Sequence, residues 1–103
     1  MKGQAPFARG EAEEHLSRLP GWILGPAAQS IRREFVMKDF MAAIRLIDQI
    51  AQAAEHDDHH PDLHLTGYRR LAIEIATHSI GGLSEKDFVL AARIDGLPKD
   101  MKR

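Results

Sequence analysis

Six consecutive titratable residues, Glu55, His56, Asp57, Asp58, His59 and His60, run up to Pro61 in the stretch "EHDDHHP". A core has no use for such a run, because charged groups are costly to bury unless paired. Proton chemistry does have a use for it. An imidazole titrates near about pH 6.5 and a neighbouring carboxylate tunes it, so histidines set among acids suit proton transfer at neutral pH. A further imidazole, His78, stands later in the chain, close to the Gly81-Gly82 pair. If the segments between them pair as strands, His78 returns to the region of His59 and His60.

Two other uses compete for the cluster. A charge-rich helix end is common as plain solvated surface. His56 and His60 also stand at i and i+4, the spacing by which two imidazoles share a metal ion on a helix. Pro61 disfavours the helical region for His60, however, and adjacent His59 and His60 cannot readily chelate one ion. With no cysteine in the chain, we expect no metal.

The elements that must position these groups follow from periodicity. An acidic opening (Glu11, Glu13, Glu14) with Leu16, Arg18 and Leu19 predicts a short helix over 10–19, stopped by Pro20-Gly21. "WIL" at 22–24 and "IRREFVM" at 31–37 read as strands, the second with Ile31 and Phe35 on one face. Asp39 then caps a helix whose apolar face comprises Phe40, Ala43, Ile44, Ile47, Ala51 and Ala54, widened by Leu46 and Ile50. It must end at or just before the histidine pair. "DLHLT" at 62–66 alternates as a strand, and 68–78 reads as a longer one with Leu71, Ile73 and Ile75 inward. Tyr68, opening that central strand, is expected in the core, as is Trp22. Ser84 with Asp87 forms a capping-box pattern for a last helix, closed by Gly96 and Pro98.

The order α-β-β-α-β-β-α predicts an α+β two-layer domain, a four-stranded antiparallel sheet with three helices on one face. Residues 1–9 are expected to be flexible, 10–97 to form one domain and 98–103 a tail. Hydrophobic residues at 44% and charged residues at 28% are ordinary for a soluble globular chain. A net charge of -1 gives no signature of nucleic-acid binding. No stretch approaches the roughly 20 apolar residues of a bilayer span. A cytoplasmic protein touching neither nucleic acid nor membrane is the expectation.

Taken together, the spacing resembles the signature of the pterin-4a-carbinolamine dehydratases: Glu, three residues, His-His-Pro, a short gap, an aromatic, nine residues, His, then Asp. Glu55, His59, His60, Pro61, Tyr68, His78 and Asp87 fall in place. "GW" at 21–22, the run from Arg33 to Phe40 and "GLSEKDFVLAARID" at 82–95 extend the likeness to nearly the whole of 10–95. One departure stands out. Animal members have five residues between the proline and the aromatic; here six, Asp62 to Gly67, intervene. A glycine in a left-handed bulge could absorb the extra one.

The resemblance implies dehydration of 4a-hydroxytetrahydropterin to the quinonoid dihydropterin, in recycling of the pterin after aromatic amino-acid hydroxylation, with no cofactor beyond the pterin substrate itself. It makes His59, His60 and His78 the acid/base candidates. Glu55, Asp58, Pro61, Thr77 and Ser79 become substrate-binding candidates, with Tyr68 and Asp87 in support; Glu55 would orient a histidine. A phenylalanine hydroxylase becomes the pathway partner, and a homodimer or homotetramer the assembly. Some relatives instead assist RuBisCO assembly, and animal relatives stabilise dimers of a homeodomain transcription factor. The assembly factors tend to lose parts of the histidine signature, which this chain keeps whole.

Overall fold

The computed structural model describes residues 5–103; the first four residues of the N-terminal segment expected to be flexible lie outside the described residues. The elements are α1 (Arg9–Leu16), β1 (Ile23–Leu24), β2 (Ile31–Val36), α2 (Phe40–Asp57), β3 (Asp62–Thr66), β4 (Arg70–Ile75) and α3 (Glu85–Asp95), with short 3₁₀ turns at Pro26–Ala28 and His78–Ile80.

Alternation builds the sheet. Ile31 and Phe35 on β2 face Ile75 and Leu71 on β4, while the intervening Arg32 and Glu34 turn outward. The strand order is β1-β2-β4-β3, antiparallel throughout. The apolar face carries the core, joined by Ala12 of α1, Leu46 and Ile50 of α2, and Leu90 and Ile94 of α3. The expected fold class and element order are those observed.

Trp22 is buried as expected, although it precedes β1 rather than belonging to it. Its indole Nε1–H donates to Asp95 Oδ1 at 3.0 Å, and Arg33 Nη1 reaches the same oxygen at 3.2 Å. Three residues distant in the chain thus tie the segment before β1, β2 and the end of α3 together. Phe7 donates its backbone N–H to Leu83 O at 2.8 Å, and Phe88 lies 6.1 Å from its ring. At the other end, Lys102 N–H donates to Val36 O at 2.9 Å, which lays 100–102 beside the end of β2.

Four expectations need correction. The buried stripe of α2 is Ala42, Ala43, Leu46, Ile50 and Ala54, whereas Phe40, Ile44 and Ala51 are exposed. The helix is apolar on two adjoining stripes, and the sheet takes only one. The strand expected over 68–78 is shorter, because Gly67 (φ 54°) and Tyr68 (φ 55°) both adopt left-handed backbone to reverse the chain. Tyr68 is therefore 58% exposed at the tip of that turn, with the Arg69 guanidinium 5.5 Å from its ring centre, and is not core. Finally, His78 begins a 3₁₀ turn and is not a strand residue.

Candidate active site

Pro61 and a left-handed residue end α2 where the sequence requires. Asp58 takes φ 51°, ψ 44°, a conformation open to few residues other than Gly, Asn and Asp. His59 N–H reaches back to Ala54 O at 3.1 Å, closing the helix end. This turn swings the His59 ring under the start of α3. There Nε2 lies 2.6 Å from Asp87 Oδ1; the imidazole is 11% exposed and the carboxylate 0%.

Asp87 sits at the third position of α3, where its Oδ2 accepts the N–H of the capping residue Ser84 at 2.8 Å, half of a capping box. The same oxygen accepts the Thr77 hydroxyl at 2.8 Å, and Thr77 Oγ1 lies 2.7 Å from Ser84 Oγ. Thr77 is also held by its backbone, its N–H donating to Gly82 O at 2.8 Å across a turn closed by left-handed Gly81. One buried carboxylate thus joins the end of α2, the exit of β4 and the start of α3.

His78, next to Thr77, is exposed and lines an open cavity of about 420 Å³ with Gln29, Ser30, Asp62 and Glu74. That volume suits a small heterocycle. His59 opens instead onto a separate hollow of about 360 Å³, with Asp57, Glu85, Lys86 and Val89. His60 lines neither; it is exposed, with Nε2 2.5 Å from Glu55 Oε2. The bond network through Asp87 and Thr77 runs from the His59 ring to the residue before His78, while no one of these cavities touches all three imidazoles.

Pro61 leads directly into β3, whose first residue Asp62 is a wall of the His78 cavity. Asp58 and Ser79 are exposed beside the histidines they adjoin. Tyr68 is not brought to this end. Thr66 pairs with Arg70 at one end of the hairpin and Asp62 with Glu74 at the other. At about 3.3 Å per strand residue, Tyr68 is more than roughly 10 Å away.

Asp57, a member of the titratable cluster with no role in the expected site, stands beside His59. A hydrogen bond from the His56 ring holds its carboxyl below the usual range, against an opposing effect of burial and with help from Arg93, whose Nε lies 2.9 Å away. It ties α2 to α3 at the rim of the His59 hollow. His56 and His60 each turn their ring to a separate carboxylate, Asp57 and Glu55, and among the described residues no three His, Asp or Glu side chains gather to hold an ion.

The family model for pterin 4 alpha carbinolamine dehydratase matches residues 5–97. The chain belongs to this family. A protein from Halorhodospira halophila that carries the provisional name pterin-4-alpha-carbinolamine dehydratase is 42% identical over 95 residues, 92% of this chain and 86% of its own length. The mitochondrial pterin-4-alpha-carbinolamine dehydratase 2 of Arabidopsis thaliana is 41% identical over 88 residues, 84% of this chain and 47% of that longer protein. Among solved structures, a transcriptional coactivator/pterin dehydratase from Brucella melitensis superposes with a TM-score of 0.82 at 34% identity, covering 87% of this chain and 95% of that one. A pterin dehydratase-like protein described as a RuBisCO assembly factor in the alpha-carboxysome reaches 0.62 at 18% identity, covering 73% and 86%, a likeness of fold alone. The tie between Trp22, Arg33 and Asp95 and the histidine end of the sheet both fall within the carbinolamine dehydratase span.

Proposed function

We propose that the chain dehydrates 4a-hydroxytetrahydropterins to quinonoid dihydropterins by histidine general acid–base catalysis, in pterin recycling in the cytoplasm. The observation that carries this reading is the His59–Asp87 pair at 2.6 Å, tied through Thr77 to the base of His78. A buried carboxylate bonded to an imidazole orients it and balances its positive charge when protonated, the arrangement a general acid or base needs. The reaction asks for a proton delivered to the departing C4a hydroxyl and one removed from ring nitrogen N5. His59 and His78 supply these, with His60, oriented by Glu55, at the substrate's edge; Asp58 and Ser79 frame the mouth. Neither proton transfer needs a metal or a further cofactor. An aromatic amino-acid hydroxylase, such as phenylalanine hydroxylase, is the class of enzyme that generates the substrate.

The test is direct. The 4a-carbinolamine is generated enzymatically and its ultraviolet decay followed with and without purified protein. Acceleration that saturates with substrate supports the proposal, whereas decay at the spontaneous rate excludes it. The RuBisCO-assembly reading is weaker, since the assembly factor shares only the fold and this chain keeps every histidine of the signature.

We also propose a homodimer or homotetramer. The five-residue strand β3 lies at an open edge of the sheet, and Phe40, Met41 and Ile44 leave an apolar stripe on α2. Light scattering at micromolar protein should return two or four times the 11.5 kDa chain mass; a strict monomer counts against this.

A further inference from the structure

The bonds around Asp87 have a direction. The side chain is fully buried, and three groups meet its two oxygens: His59 Nε2 at 2.6 Å on Oδ1, with the Thr77 hydroxyl and the Ser84 N–H, both at 2.8 Å, on Oδ2. The two donors on Oδ2 compensate a negative charge there. An ionised carboxylate has no proton to give, so His59 must present an N–H to Oδ1. Thr77 has one hydroxyl proton, and Asp87 takes it. The 2.7 Å contact between the Thr77 and Ser84 hydroxyls is therefore donated by Ser84. Every proton in the chain is placed, from Ser84 through Thr77 to Asp87 and the imidazole.

We infer that this chain locks neutral His59 in the tautomer with its proton on Nε2, so that Nδ1 is the nitrogen that takes up and releases the reaction's proton, and that Thr77 is a positioning residue. This departs from the sequence expectation of Thr77 as a substrate contact: its hydroxyl is already committed on both sides. Removing that hydroxyl leaves Oδ2 with a single donor and frees the carboxylate to rotate away from His59. The tautomer stands on the bonds alone, while the kinetic role of Nδ1 rests on the function proposed above.

Long-range ¹⁵N–¹H spectra of the histidine rings, taken above the His59 titration, decide the tautomer. The expected pattern is protonated Nε2 and unprotonated Nδ1 at His59 in the unmodified protein, and a mixture in Thr77→Val. Thr77→Ser, which keeps the hydroxyl, restores the single pattern. In the carbinolamine assay Thr77→Val should lower kcat about tenfold, the worth of one hydrogen bond, with KM unchanged, and Thr77→Ser should recover most of it. A proton on Nδ1 of His59 in the unmodified protein overturns the inference. A raised KM with kcat and tautomer unaltered overturns the positioning role and returns Thr77 to the substrate. Should Thr77→Val fail to fold, the unmodified protein's spectrum still decides the tautomer, and Thr77→Ala, which also removes the hydroxyl, reads the kinetics. The Nε2–H pattern in a protein without dehydratase activity would sink the proposed function while leaving the lock intact.

Discussion

His78→Ala is expected to keep its fold and lose between about 10² and 10⁴ in dehydration rate, the contribution of one positioned acid or base. The two halves of this result have separate causes. The ring is exposed, at the start of a 3₁₀ turn whose shape is held by Thr77 and Gly82 backbone bonds, so its loss opens no hole in the core. Surface changes of that kind move stability by no more than about 0.5 kcal/mol. The rate, in contrast, loses the imidazole that faces the 420 Å³ cavity. Circular dichroism melts and the carbinolamine assay, run on one preparation, read the two halves together. Turnover like that of the unmodified protein would remove His78 from the mechanism.

Asp87→Asn should be costly in both respects. The amide is nearly the same shape, but one of its two oxygens becomes an NH₂, which cannot accept from an N–H. With its carbonyl toward His59, its NH₂ meets the Thr77 hydroxyl and the Ser84 N–H; turned over, the NH₂ opposes the His59 N–H. A buried donor left without an acceptor costs about 1–3 kcal/mol, and the helix loses its capping carboxylate as well. Where the amide forces the other His59 tautomer, the rate should fall by on the order of 10²–10⁴. Urea unfolding and kcat measured well below the melting midpoint separate the losses. Near-normal stability together with near-normal kcat would show that Asp87 neither caps nor orients anything of consequence.

Much of this arrangement is legible in the chain. The alternation of Ile31 and Phe35, and of Leu71, Ile73 and Ile75, fixes both central strands because one face of each must be buried. Pro61 ends α2, and the Ser84–Asp87 spacing marks the start of α3. Other features depend on tertiary choice. The stripe through Phe40, Ile44 and Ala51 is as regular as the one through Leu46, Ile50 and Ala54, and only the packing of the sheet selects between them. Tyr68 reads as a strand residue by propensity, but the hairpin needs positive φ at two successive positions, and the tyrosine supplies the second. The Thr77 bond to Asp87 has no spacing rule at all, because it forms only when the exit of β4 comes to rest against the capping turn of α3.

The proposed dehydration needs His59, His60 and His78 to act on one bicyclic heterocycle, and His59 and His78 line different hollows. Titration with a 7,8-dihydropterin, followed through the side-chain resonances of all three histidines, tests this most directly. The three sets of resonances should shift together along one saturation curve, while those of His56 and His64 remain still. Shifts confined to one imidazole, or three curves with different midpoints, would contradict it.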